Sequence, residues 1–235
     1  MKLSVFDLDH TLLPIDTGDR WSHWLVAKAG LDRVSLDQKI AQYAEDYRAG
    51  RFDPDEFVAF QCGLLAGQRR NDLNRWRDEF ISEVVKPALR PEATALVESR
   101  REAGFIPVLA TGTHQFVTAP IAKLFHIEHL AAVQPEENAM GEFTGRAAGS
   151  HSYGEGKLKL VKALAEKLCA ASGETLEAVE AWSDSINDLP LLRYAAAYQP
   201  SGRAVAVNPD PQLLQAAMEQ HWSVLELFQR ESIHA

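Results

Sequence analysis

The first apolar run is Leu3-Ser4-Val5-Phe6, introduced by Lys2 and stopped by Asp7 and Asp9. A short, nearly continuous apolar segment of this kind reads as a buried strand, and here its carboxyl end carries acids. From about residue 14 to residue 87 the texture changes. Apolar positions recur at helical spacing over residues 21–26, 40–47, 57–65 and 73–85, with no strand-like alternation between them. Asp53-Pro54-Asp55-Glu56 has the form of a helix start: proline fits the first turn, and the acids meet the positive end of the helix. This stretch predicts a block of about four helices.

Beyond Pro91 helix and strand patterns alternate. A helix is expected over residues 92–103, ended by Gly104. A strand follows in Phe105-Ile106-Pro107-Val108-Leu109-Ala110 and runs into Thr111-Gly112-Thr113, then a helix over 116–125. Short strands are expected over 131–133 and 142–146, around a turn at Gly141. A long helix over 157–171 leads to a strand over 179–182 that ends in Ser183-Asp184. A helix over 189–196, a strand over 204–207 and a helix over 213–219 complete the pattern. Such alternation implies a parallel sheet covered on both faces. The expected fold class is α/β, a Rossmann-like doubly wound parallel sheet with an inserted α-helical cap domain. The expected division is a core of residues 1–14 and 88–235 and a cap of residues 15–87.

Composition bounds the function. The 235 residues are 46% hydrophobic and 24% charged, ordinary for a globular chain. The formal net charge of −9 argues against a nucleic-acid partner. An anionic substrate would need local positive charge or a metal to gather it against the global field. Cys62 and Cys169 have no CxxC neighbour and read as reduced thiols of a cytoplasmic protein. No apolar run has the roughly 18 residues of a membrane span, and Asp7 interrupts the first run too early for a signal peptide.

In parallel sheets ligands bind beyond the carboxyl ends of the strands, so the residues at those ends are comparable. Asp7 and Asp9 repel each other unless a cation relieves them; the plain alternative is a polar strand end or helix cap. Thr111 and the backbone of Gly112 can donate to a phosphate oxygen, although Thr113 could simply cap a helix. Lys157 opens a helix, where the dipole disfavours it, which suggests a role such as holding a phosphate or a carboxylate. Asp184 and Asp188, in Ser183-Asp184-Ser185-Ile186-Asn187-Asp188, are hard oxygen ligands that suit magnesium. All four features fall where the topology predicts a site.

Asp7-Leu8-Asp9-His10-Thr11, Thr111, Lys157 and the segment from Asp184 to Asp188 together resemble the four motifs of the haloacid dehalogenase superfamily. The resemblance covers nearly the whole chain. The helical insert is similar to the cap of the phosphoserine-phosphatase-like branch, subfamily IB. Ala110-Thr111-Gly112-Thr113 and Ser152-Tyr153-Gly154-Glu155-Gly156-Lys157 resemble a bacterial group that includes histidinol-phosphate phosphatases. The resemblance implies a magnesium-dependent phosphomonoesterase that works through an aspartyl-phosphate on Asp7, with Asp9 as general acid and base. It implies Mg2+ held by the Asp7 side chain, the Asp9 main-chain carbonyl and Asp184, with Asp188 acting through water or through Lys157. Thr111, Gly112, Lys157 and Asn187 would cradle the phosphoryl group. An acid two residues after the nucleophile is what a dehalogenase lacks, whereas a phosphomutase shares it.

The expected partner is a small phosphate ester, met by a monomer or homodimer with neither nucleic acid nor membrane. Asp16 stands where the phosphoserine branch meets a substrate ammonium group. The cap segment from Gly50 to Gly67, where that branch carries an arginine for the substrate carboxylate, reads Val58-Ala59-Phe60-Gln61 at the matching place. The missing arginine favours an amine-bearing phosphate without a carboxylate, such as histidinol phosphate, over phosphoserine. Trp21, Trp24 and Tyr153 could stack on a flat group, and Thr113 and His114 are further substrate candidates. Asp16 as a helix cap and the tryptophans as core are the plain alternatives. A non-hydrolytic phospho-aspartate switch, the different-class reading, also has an acidic pocket with Thr and Lys. The Asp-x-Asp pair and the large insert argue against it.

Overall fold

The computed structural model describes residues 1–48 and 51–228; Gly50 lies outside them. Six strands form one parallel sheet: β1 (Lys2–Phe6), β2 (Ile106–Ala110), β3 (His129–Ala131), β6 (Ala178–Ser183), β7 (Ser201–Val207) and β8 (Ser223–Leu225). Their spatial order is β3-β2-β1-β6-β7-β8, so β1 lies inside the sheet between β2 and β6. Strand alternation divides the core in two. Leu3, Val5, Val108, Ala110, Val179, Ala181, Ala204 and Ala206 face one side, with Leu158, Val161, Leu191 and Leu213 of the helices α8 (Glu155–Ser172), α9 (Leu189–Ala196) and α10 (Pro211–Glu219). Phe6, Leu109, Trp182, Val205 and Val207 face the other, with Ala93 and Val97 of α6 (Pro91–Glu102) and Val117 and Ile121 of α7 (Gln115–Leu124). The doubly wound α/β expectation holds.

Between β1 and α6 lie α1 (Thr17–Ala29), α2 (Arg33–Arg48), α3 (Pro54–Gly63) and α4 (Arg70–Phe80), then a π-helical turn (Ile81–Val85) and the short α5 (Lys86–Ala88). The fourth expected helix, over 73–85, is therefore broken. Pro87 has no N–H to return to the carbonyl of Glu83, and the hydrogen-bond ladder widens just ahead of it. Trp21, Leu25, Leu65, Leu73 and Phe80 of this block join the same apolar cluster as Phe6 and Phe116, so the block shares the core on that side of the sheet.

Two other expectations need correction. The strand expected over 131–133 ends at Ala131, and a separate antiparallel hairpin follows, β4 (Gln134–Glu137) with β5 (Phe143–Ala148). The hairpin packs on α3, and Gly145 comes so close to Ala66 that an added Cβ would lie 2.9 Å from its side chain. Arg70 ties α4 to the same hairpin: it donates to Glu137 at 2.9 Å and to the Gly141 carbonyl at 3.0 Å, with its guanidinium over Phe143. The edge strand β8 was not expected, since three residues carry too little pattern to be read. Cys62 and Cys169 are free thiols. Among the described residues no helix is long and apolar enough to cross a membrane.

Candidate active site

The segment after β1 turns at once, because Leu8 offers its carbonyl to the N–H groups of Thr11, Leu12 and Leu13. Leu8, Leu12 and Leu13 are fully buried and pin the turn, which leaves Asp7, Asp9 and His10 on the wall of a cavity of about 620 Å3. His10 takes a left-handed conformation (φ 58°), uncommon for a residue with a Cβ, and its carbonyl accepts from Asn208 Nδ2 at 3.2 Å.

Asp7 is the centre. Lys157 Nζ donates to Asp7 Oδ1 at 2.8 Å and to Asp188 Oδ2 at 2.7 Å, with all three side chains buried. Burial pushes the Asp7 carboxyl up to about 6 against the pull of Lys157. Burial also works against the Lys157 charge, but Asp188 and Asp7 outweigh it and hold the ammonium above its usual range. Near neutral pH the pair is therefore ionised. Lys157 reaches this place because α8 starts where Gly156 packs against His151; an added Cβ would meet the His151 carbonyl at 2.4 Å. Thr11 Oγ1 lies 3.3 Å from both Asp7 Oδ2 and Asp184 Oδ1 and accepts from the Asp184 N–H at 3.0 Å.

Asp9 has other surroundings. Its Oδ1 accepts from Thr17 N at 2.7 Å and Thr17 Oγ1 at 2.6 Å, and its Oδ2 from Thr113 Oγ1 at 3.1 Å. Burial, then the nearby Asp16 and Asp7, raise its pKa well above the ordinary carboxylate value despite the Thr17 bonds. Two acids two residues apart are thus split. One is paired with a cation and ionised, the other is pushed toward holding a proton, the pattern expected of a nucleophile beside an acid.

The residues expected from sequence are only partly brought together. Asp7, Asp9, Asp16, Gly112, Thr113, Tyr153, Lys157, Asp184, Asn187 and Asp188 line the cavity. Thr111 directly follows β2 but is fully buried, with its Oγ1 accepting from Thr113 N. Asp16 caps α1, accepting from Asp19 N at 2.8 Å, while it also faces the cavity. Trp21 and His114 are corrections, since neither reaches the cavity wall. Trp21 packs edge-on against Phe80 and Phe116, and Trp24 donates its indole N–H to the Trp76 carbonyl. His114 is buried at the start of α7, and burial pushes its imidazole down to about 4. The helical spacing of these residues carries no information on which side of α1 or α7 meets the cavity.

Several supporting residues were missed. Ser183 Oγ donates to Asp188 Oδ2 at 2.7 Å. Asp210 accepts from Ile186 N at 2.8 Å and donates its own N–H to the Asp184 carbonyl, holding the acidic loop. Asn208 secures His10 from the end of β7. For Asn208 and Asp210 the signal was weak but present: polar residues, each ahead of a proline, just after the apolar run of residues 204–207.

Magnesium fits this donor set. Asp188 Oδ1 is buried with no hydrogen-bond partner, while its other oxygen shares Lys157 with Asp7, and Thr11 links Asp7 to Asp184. No three His, Cys, Asp or Glu side chains among the described residues form a ready-made cage. Magnesium needs none, because it takes one or two carboxylates and completes its shell with water and substrate phosphate.

A parallel sheet whose first strand delivers an ion-paired aspartate, with a second acid two residues on, a lysine from the start of α8 and an acidic loop from the neighbouring strand end, has the arrangement of a phosphoryl-transfer site. The chain belongs to the haloacid dehalogenase-like hydrolases, whose family profile matches residues 4–193, and it is a phosphatase. It is 34% identical over 228 residues, 95% of this chain and 98% of that protein, to a histidinol-phosphatase from Neisseria meningitidis serogroup C (strain 8013). The crystal structure of a protein with unknown function from Bordetella pertussis Tohama I superposes with a TM-score of 0.85 at 34% identity, covering 97% of this chain and 99% of that one. A substrate-bound phosphoserine phosphatase shares the fold, with a TM-score of 0.64 at 17% identity over 98% of this chain and 94% of that one.

Proposed function

We propose that this phosphatase is a magnesium-dependent phosphomonoesterase for a small, amine-bearing phosphate such as histidinol phosphate. Residues 15–87 would act as a cap over a core of residues 1–14 and 88–235. The observation that carries the reaction is the split pair: Asp7 ionised against Lys157 at 2.8 Å, and Asp9 raised by burial on the same wall. An Asp7 oxygen attacks phosphorus as the ester P–O bond breaks, and the leaving alkoxide takes the proton of Asp9. Asp9, now a carboxylate, accepts a proton from water as that water attacks the aspartyl-phosphate. Inorganic phosphate leaves and both aspartates are restored. Thr111, Gly112, Lys157 and Asn187 stabilise the phosphoryl oxygens. The Asp7 side chain, the Asp9 carbonyl and Asp184 would hold magnesium, with Asp188 behind them. The bound ion supplies charge neutralisation to the transferring phosphoryl group.

The substrate reading rests on charge. Among the described residues lining the cavity, Lys157 is the one lysine or arginine, while Asp16 and Asp19 stand on the wall beyond Asp9. Among these described lining residues a substrate carboxylate would find no lysine or arginine beside Asp16 and Asp19, and an ammonium would find two acids. The name of the Neisseria meningitidis relative supports the same substrate. The test is turnover of histidinol phosphate, phosphoserine, amino-alcohol phosphates and sugar phosphates, with and without magnesium. Histidinol phosphate should lead and require the metal, and Asp7→Asn should be inactive. Normal turnover by Asp7→Asn would sink the nucleophile. Phosphorylation without turnover would favour the phospho-aspartate switch.

A further inference from the structure

The cap places aromatic residues where the tryptophans were expected. Tyr43 of α2 meets Phe57 and Phe60 of α3, with ring centroids 5.0 and 5.5 Å apart. Phe52, just ahead of α3, lies 5.5 Å from Phe57. Tyr153 joins them from the other side, 5.6 Å from Phe52 and 5.8 Å from Phe57. All five rings line the cavity that holds Asp7, and all except Tyr43 are only half-buried, so they present ring surface to it. Tyr153 also rests on Gly112, where an added Cβ would fall 2.7 Å from its ring. The aromatic surface therefore runs without a break from the strand-end loop beside Asp9 out to α3.

Asp19 is a further member of the same cavity. It is steered from behind: His23 Nε2 is 3.3 Å from Asp19 Oδ1, and His23 Nδ1 is 3.4 Å from Asp37 Oδ1 on α2.

We infer that Phe52, Phe57 and Tyr153 form a ring subsite that determines specificity, with Asp19 accepting from an N–H of the substrate, so that the enzyme selects phosphates carrying a flat nitrogen heterocycle as well as an amine. This rests on the reading of the site as a phosphomonoesterase for amine-bearing phosphates. The physics is selective. Aromatic faces attract flat and cationic groups, and a carboxylate beside them rewards a donor. Phosphoserine has no ring to place against this wall, and a sugar phosphate has hydroxyls that the wall would desolvate without partners. His23 is a positioning residue, since it acts through Asp19.

The experiment compares kcat/KM for histidinol phosphate, O-phosphoethanolamine (an amine without a ring) and p-nitrophenyl phosphate. It uses the wild type and the variants Phe57→Leu, Tyr153→Leu, Asp19→Asn and His23→Gln, and adds inhibition by free L-histidinol as a binding readout. The ratio of histidinol phosphate to O-phosphoethanolamine should fall roughly 10- to 100-fold in the leucine variants. It should fall on the order of tenfold in Asp19→Asn, mainly through KM and with a matching loss of L-histidinol inhibition. His23→Gln, which keeps a donor to Asp19, should lose less than Asp19→Asn. Phe57→Tyr preserves a ring and should keep the ratio within about threefold, which separates ring recognition from a folding defect. If the wild type prefers histidinol phosphate and the leucine variants keep that preference, this proposal is overturned while the substrate reading stands. If the wild type hydrolyses p-nitrophenyl phosphate but favours neither amine phosphate, both fall.

Discussion

Replacing Lys157 with methionine keeps the length of the side chain and removes its charge. In the native protein that charge lies 2.8 Å from Asp7 and 2.7 Å from Asp188, and neither acidic side chain is more than 9% exposed. Without it two buried acids face each other with nothing between them. Removing one partner of a buried ion pair costs about 3–5 kcal/mol, because the remaining charge is left desolvated and unpaired. For a chain of this size each kcal/mol lowers Tm by about 2–4 °C, so the melting temperature should drop by roughly 6–20 °C. The sign with pH follows from Asp7. Its carboxyl titrates at about 6 even with the lysine present, and losing the lysine raises it further. The variant's deficit is therefore largest above that value and narrows as pH falls and Asp7 takes up a proton. Thermal unfolding of wild type and Lys157→Met at about pH 5 and about pH 8 measures it, and turnover of p-nitrophenyl phosphate should fall at least roughly 100-fold alongside. A deficit below about 1 kcal/mol at the higher pH, the size of a surface pair, would refute the reasoning. So would a deficit that does not change with pH.

Other expectations are simpler to state. Asp9→Asn should slow alkyl phosphates by roughly 10²- to 10⁴-fold and p-nitrophenyl phosphate much less, since that leaving group needs no proton; equal losses would argue against Asp9 as the acid. Asp184→Asn should raise the magnesium concentration needed for half-maximal activity on the order of tenfold, and an unchanged titration would count against its place in the metal site. His114 is buried and neutral down to about 4 whereas an unfolded imidazole protonates near 6.5. Stability should therefore fall by about 3 kcal/mol as pH drops through that window. His114→Leu should lack this loss in urea unfolding, and parallel pH curves for the two proteins would contradict it.

The charged residues of the candidate site were legible in the sequence because each follows an apolar strand or opens a helix. Asp7 and Asp9 follow Phe6, Asp184 follows Ser183, and Lys157 is two residues from the start of α8. In a parallel sheet those ends share one edge, so the alternating pattern alone implies that they meet. The split of Asp7 from Asp9 was not legible. It depends on Lys157 reaching one carboxylate and on Thr17 and Thr113 enclosing the other, contacts made across separations of 150, 8 and 104 residues.

The insert shows the same division more sharply. Periodicity predicted its helices, and the flat rings of Trp21, Trp24 and Tyr153 made them candidates for stacking; Tyr153 lines the cavity, whereas both tryptophans turn inward to Phe80, Phe116 and Trp76. Of the five rings that line the cavity, Phe52, Phe57 and Tyr153 come from a loop, a helix and the approach to α8. No local spacing relates them. By itself the sequence determined the α/β class, the strand-end acids and the reaction they suit, because these follow from short-range pattern and a general rule of parallel sheets. Only the tertiary structure decided which aromatic rings line the cavity and how burial and partners set Asp7 apart from Asp9, because packing orientation and burial are set by contacts between separate segments of the chain.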